Sequence, residues 1–179
     1  MKLIYDYRPK RKSKTALFLT ALLLLVSATA LALAWSQIAL YKNLLIFVGA
    51  LTLEISVLVA GRYLLKDYSY AVMDTDESLD FVVFERKGKK QSVVCRVALD
   101  GCCALFESYG ECSTYLKDTP FRRYDYCIEI GAKDARVLLI RDDDHYAAVR
   151  FMPNDRMTVL LQTFARRENC DGDASEVHE

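Results

Sequence analysis

The chain has 179 residues, 53% of them hydrophobic, and its 24 basic and 24 acidic side chains cancel to a formal charge of zero. That balance averages unlike segments: residues 1–14 carry six basic side chains and one acid, Asp6, a net of +5, whereas 15–65 hold only Lys42, Glu54 and Arg62. Residues 66–179 hold the other 16 basic and 22 acidic side chains, a net of −6. This argues against nucleic acid as a partner and against broad adhesion to an anionic membrane.

Residues 1–14 read as a basic cytoplasmic N-terminus. Thr15 to Trp35 then runs 21 residues without a charge, about 30 Å of helix at 1.5 Å per residue, which matches a bilayer hydrocarbon core. A short polar break (Ser36, Gln37, Tyr41, Lys42, Asn43) precedes a second expected span at 44–65. Trp35, Tyr41 and Tyr63 fall where amphipathic rings prefer the interface. Residues 15–65 therefore predict a transmembrane hairpin of two antiparallel helices. The six basic residues ahead of the first span, against Lys42 alone in the loop, place both chain ends on the cytoplasmic side of the cell membrane by the positive-inside rule. A cleaved signal peptide ending near Ala32-Leu33-Ala34 is the competing reading. The apolar run exceeds a signal h-region, and a second span follows at once.

All six cysteines (Cys95, Cys102, Cys103, Cys112, Cys127, Cys170) fall after the hairpin. In a reducing compartment they are expected as thiols that pack as small hydrophobes. Adjacent Cys102 and Cys103 point to opposite faces if they lie on a strand. No C-x-x-C occurs, and with His145 and His178 as the only histidines, a zinc site is not expected.

From residue 66 apolar and polar residues alternate, which reads as strands. Those expected are Tyr68–Met73, Leu79–Glu85, Ser92–Leu99, Cys102–Glu107, Tyr124–Ile130, Ala135–Arg141 and Tyr146–Met152. The stretch Ser108–Phe121 reads as irregular. The basic turn Arg86-Lys87-Gly88-Lys89-Lys90 joins the second and third strands, and its glycine suits positive φ. Pro153-Asn154-Asp155 offers N-cap chemistry to one helix, whose Met157, Leu160, Leu161 and Phe164 share a face and whose last turn carries Arg166 and Arg167. Residues 168–179 are polar and acidic and are expected to be disordered.

Seven strands, the longest irregular stretch after the fourth, and one C-terminal amphipathic helix resemble the pleckstrin-homology (PH-like) fold. The tyrosine-rich first strand, the FVVFERKGKKQSVVCRVAL hairpin and the DDDHYAAVRFMPNDRMTVLLQTF ending carry the likeness. The whole resembles bacterial membrane proteins with an N-terminal two-helix transmembrane hairpin and a PH-like cytoplasmic domain. The resemblance implies two near-orthogonal antiparallel sheets over residues 66–167, plugged at one end by the helix. It implies no activity, because fold does not fix function.

Few residues carry chemistry of their own. Glu54 stands mid-span, where an ionised carboxylate costs several kcal/mol, so it reads either as a working acid or as glue bonded to its partner helix. With a turn centred near residue 39–40, Ser27 is the candidate partner. Arg86, Lys87, Lys89 and Lys90 are candidates for anionic lipid headgroups, at about 1 kcal/mol per basic residue near such a surface, against the plainer reading of a solvated turn. Asp74-x-Asp76 and Asp142–Asp144 beside His145 look like metal or acid/base clusters, but aspartate is favoured in tight turns for its own backbone bonds. No glycine-rich phosphate loop or nucleophile motif occurs, so neither a cofactor nor catalysis is expected. The sequence therefore predicts a membrane-anchored, non-enzymatic interaction or sensing module. Its partners are the lipid bilayer and a membrane or cytoplasmic protein. The alternatives are an accessory subunit of a larger membrane complex and, behind it, an enzyme acting on lipid or envelope precursors.

Overall fold

The structure is a computed structural model that describes residues 2–11, 13–36, 41–75, 78–117, 119–142 and 145–165, with the backbone alone for Asp142. The tail 168–179, Arg166, Arg167, Cys170, His178, Asp76, Asp143 and Asp144 lie outside the described residues. The chain divides into two units, residues 11–67 and residues 1–10 with 68–179.

The first unit contains α1 (Thr15–Trp35) and α2 (Lys42–Tyr63), two helices long and apolar enough to cross a membrane. Their seam is built from small residues: Ala16, Thr20, Ser27, Ala30 and Ala34 are buried on α1, and Gly49 and Ser56 on α2. Small side chains let two backbones approach closely enough for hydroxyls to reach carbonyls. Ser27 Oγ donates to the Gly49 carbonyl at 2.8 Å, and Ser56 Oγ to the Thr20 carbonyl at 3.3 Å. A Cβ on Gly49 would lie 2.8 Å from Leu31 Cγ, so the approach depends on that glycine. Large apolar residues cover the outside, with Phe18 69%, Phe47 65% and Trp35 90% exposed. At the base, the Arg11 guanidinium binds the carbonyls of Leu64 and Lys66 at 3.0 and 2.6 Å and Asp67 Oδ1 at 3.0 Å. A cation is thereby set on the carbonyls that follow α2.

The second unit holds two four-stranded sheets. Sheet A runs β1-β2-β3-β4, with β1 Lys2–Tyr7, β2 Lys66–Asp74, β3 Leu79–Lys87 and β4 Lys90–Ala98. Gly88, at φ 62°, takes the first central position of the two-residue loop between β3 and β4, where a hairpin turn needs positive φ. Sheet B runs β5-β7-β8-β6, with β5 Cys102–Phe106, β6 Phe121–Asp125, β7 Arg136–Asp142 and β8 His145–Phe151. The core between the sheets holds Tyr70, Val72, Phe81, Val83, Leu138, Ile140, Val149 and Phe151, joined by Met157 and Leu161 of the last helix, α4 (Asp155–Ala165). Asn154 caps α4, its Oδ1 accepting from Met157 N at 2.9 Å.

Three features differ from the sequence expectation. Residues 2–7, read as part of a basic N-terminal segment, form the edge strand β1, antiparallel to β2. Its Tyr5 hydroxyl accepts from Asn154 Nδ2 at 2.7 Å, so β1 is tied to the cap of α4. The alternation of KLIYDY is too short, beside so many charges, to announce a strand. Second, the stretch after β5 is not wholly irregular. α3 (Tyr109–Tyr115) starts at Ser108, whose Oγ accepts from Glu111 N at 3.3 Å, and Ser108-x-x-Glu111 was the capping signal to read. Its Cys112, with Leu116, seals a second apolar cluster with Cys103, Val137, Leu139 and Ala148 on the far face of sheet B. Cys102 belongs to the first core and Cys103 to this one, on opposite faces as a strand requires.

Third, the strand expected at Tyr124–Ile130 lies earlier, at Phe121–Asp125, and pairs parallel with β8. Asp125 Oδ1 accepts from Cys127 N at 2.9 Å, and that aspartate turn ends the strand. Tyr126, Cys127 and Ile128 read as strand only because a loop carries them into the core. The domain thus has two sheets and a C-terminal helix, but eight strands and one parallel pair in place of seven antiparallel strands.

Because Leu161 is fully buried, Leu161→Ala is expected to cost about 2–5 kcal/mol, measurable by chemical denaturation followed by circular dichroism. A fragment spanning 66–165 leaves the β2 edge unpaired. A synthetic peptide of residues 1–10 is expected to bind it and raise its Tm.

Candidate ligand groove

Sheet B is covered unevenly. α4 packs along β5 at one edge, whereas at the β6 edge the two sheets leave a cavity of about 460 Å³. One wall is β4 from Val94 to Ala98, and the opposite side is formed by β6, the end of β7 and the start of β8. Strand register decides which side chains enter it. Leu138, Ile140, Val149 and Phe151 belong to the core between the sheets, and successive residues on a strand alternate between faces. His145, Ala147 and Val149 of β8 therefore face the groove. On β6, Arg122 lies opposite Ala147 and Tyr124 opposite Val149, so they face it too. Tyr146 and Phe121 turn to the other face, against the second cluster. Arg141, next to Ile140, alternates the same way.

On β4, Cys95 lies opposite Val83 and Val97 opposite Phe81, so both point inward. Arg96, opposite Val82, points away. It is held by Asp80, whose Oδ2 accepts from Arg96 Nε at 2.8 Å and lies 2.6 Å from Nη2. Ser78 and Thr75 hydroxyls donate to the same carboxylate at 2.9 and 3.0 Å. Burial works against the charge on Asp80, but the hydrogen bonds from Arg96, Ser78 and Thr75 outweigh it and hold the carboxyl below its usual range. This network pins β4 from behind and so fixes the groove wall.

Tyr126 closes one end. Its hydroxyl donates to the Val94 carbonyl at 3.2 Å, and its ring meets Tyr68 edge-on at 5.6 Å. Burial pushes the Tyr126 hydroxyl up to about 12, with neighbouring Cys95 adding to the shift. Burial also raises the half-buried Cys95 thiol, against a hydrogen bond with Tyr126. The other end is set by Gly101, where a Cβ would lie 2.5 Å from the Arg141 carbonyl oxygen. The floor is Ile140, Ala147 and Val149, and Arg122, Tyr124 and His145 stand at the rim.

Of the candidates read from sequence, His145 lines the groove and the others among the described residues lie elsewhere. Arg86, Lys87, Lys89 and Lys90 are exposed together at the β3–β4 turn, outside the groove lining. Arg86 Nε donates to the Gly88 carbonyl at 3.3 Å. Ser27 does not meet Glu54: its hydroxyl is spent on Gly49, and Glu54 is exposed on the outer surface of α2. The reason is helical phase, since five residues at about 100° each turn Glu54 roughly 140° away from Gly49. Of the acidic clusters, Asp74 ends β2 opposite Lys2 and Asp142 lies opposite His145 in the β7–β8 ladder. Among the described residues no group of three or more His, Cys, Asp or Glu is placed to hold a metal ion. The five described cysteines are unbridged, and all but Cys95 are buried. The groove itself escaped sequence reading, because its walls come from strands distant in the chain. Comparison with protein-family models, curated proteins and solved structures returns no match.

Asp80 has a lowered folded-state pKa, so its contribution is complete above the unfolded value of about 3.9 and is lost as pH falls through the folded value. Asp80→Asn is expected to cost about 1–3 kcal/mol at neutral pH. In denaturation series the gap between variant and wild type should close on acidification below about pH 4.

Proposed function

We propose that this protein is a membrane-anchored, non-enzymatic binding or sensing module: the helical hairpin lies in the cytoplasmic membrane and the two-sheet domain takes its ligand in the groove. The observation that carries the binding role is the open cavity of about 460 Å³, lined by apolar Val97, Ile140, Ala147 and Val149 together with polar Arg122, Tyr124, Tyr126 and His145, a size and mixture that suit a ligand site. The apolar outer surface of the hairpin supports the anchor. Pairing of β1 with β2 supports a hairpin with both ends on one side, because these strands flank it in sequence. The basic residues of 1–14 make that side the cytoplasm. Exposed Arg86, Lys87, Lys89 and Lys90 then supply secondary contacts to anionic headgroups. In its general plan of two sheets and a C-terminal helix the domain is a PH-like variant, whose function rests on its own site.

Topology is tested with a membrane-impermeant maleimide on intact cells. Gln37→Cys should label at once and Lys89→Cys only after permeabilisation. Immediate labelling at position 89 would place the domain outside and end this reading.

One observation favours a second reading, an accessory subunit of a larger membrane complex. The hydroxyls of Thr20, Ser27, Thr29, Thr52 and Ser56 all bond within the hairpin. Glu54, at mid-span, makes no such bond among the described residues and faces outward. A partner helix that satisfies it removes the cost of an exposed carboxyl in hydrocarbon. On this reading Glu54→Leu inserts normally but loses a transmembrane protein that co-purifies with wild type in mild detergent, and Glu54→Gln keeps it.

A further inference from the structure

We propose that the groove binds a single-chain amphiphile bearing one carboxylate or phosphate, with its chain on the Ile140, Ala147 and Val149 floor and its acid held by Arg122, Tyr124 and His145. The inference rests on the binding-module reading and specifies its ligand. It begins from what the arginines of sheet B do. Arg136 pairs with Glu107 at 3.3 Å, Arg150 with Asp125 at 3.5 Å, and Arg123 lies over the rings of Tyr109 and Phe121 at 5.5 and 5.1 Å. Arg141 is engaged as well. Arg122 is the remaining arginine of the sheet, and among the described residues its guanidinium has no partner. The Tyr124 hydroxyl and the His145 ring are likewise unengaged, and register turns all three toward one cavity.

These groups match an anion. Guanidinium presents a planar fork to two oxygens of a carboxylate or phosphate, while the tyrosine hydroxyl and an imidazole N–H add donors at the same rim. Among the described residues no carboxylate lines the groove. Asp142 is paired with His145 through the backbone ladder, and Asp143 and Asp144 lie outside the described residues. The groove also presents the apolar side chains of Val97, Ile140, Ala147 and Val149. Donors at one rim and hydrocarbon beneath them are the complement of an amphiphile with a single head. An added peptide strand fits less well, because Tyr126 already occupies the Val94 carbonyl that such a strand would use.

Cys95 reports occupancy, since it stands on the groove wall and is the one described cysteine that is not buried. The full chain, carrying Cys170→Ser, is placed in phosphatidylcholine nanodiscs, and Cys95 alkylation by iodoacetamide is timed by mass spectrometry. Octanoate and octyl phosphate are the probes, with inorganic phosphate, acetate and 1-octanol as the separated head and chain. The expected result is saturable protection by an acid-headed probe, weaker by about 10-fold or more in apparent Kd for Arg122→Gln, and none by the separated parts at equal free concentration. Comparing octanoate with octyl phosphate tells which head is preferred. Protection by 1-octanol equal to that by the acids, and indifferent to Arg122→Gln, overturns the anionic class while leaving a groove that binds. Absence of protection by every probe overturns the proposal outright. The labelling at position 89 tests the membrane anchor independently of either result.

Discussion

A single buried hydroxyl joins the parts of the domain. Tyr70 is fully buried in sheet A, its ring set against Phe81 at 6.4 Å and Phe151 at 5.3 Å. Its hydroxyl donates to the Tyr126 carbonyl at 3.0 Å and accepts from Met152 N at 3.2 Å. It thereby satisfies one backbone group just after β6 and one just after β8. Desolvation of an unmet backbone group costs about 1–3 kcal/mol, so this hydroxyl supports the chain where it leaves both strands. The same burial drives the phenol far above its ordinary pKa, which keeps it neutral and able to donate. Tyr126, held in place by that bond, then reaches Val94 and closes the groove.

The groove follows from an imbalance in how sheet B is covered. Cys112 of α3 and Leu116 just after it seal one face, and α4 fills the β5 side of the other with Met157 and Leu161. No element fills the β6 side among the described residues, where the space between β4 and β8 stays open. The parallel placement of β6 matters here, because it carries Arg122 and Tyr124 to the edge beside Ala147 and Val149. An antiparallel meander would have spent that edge differently.

The hairpin obeys a separate economy. Its inner face is reduced to alanine, glycine, serine and threonine, so attraction comes from close backbone approach and two interhelical hydroxyl bonds among the described residues. That seam leaves Glu54 outside, and the mid-span acid becomes a question of what surrounds the hairpin rather than of how it packs.

Much of this plan was legible in the chain. The charge-free run from Thr15 to Trp35 and the second apolar run determined two long helices, because length and apolarity alone decide whether a helix can lie in hydrocarbon. Alternation placed six of the strands within a few residues, and Asn154 with the Met157–Leu161 face placed α4, since period and caps are local properties. Tertiary structure alone decided the rest. β1 exists because β2 offers it an edge, and β6 ends at Asp125 because a side chain captures the Cys127 amide. Ser27 meets Gly49 rather than Glu54 because helical phase, not distance from the turn, sets which residues face inward. The groove belongs to the same class: Cys95, Arg122, Ile140 and His145 lie on four different strands, and only their pairing registers turn those side chains into one space.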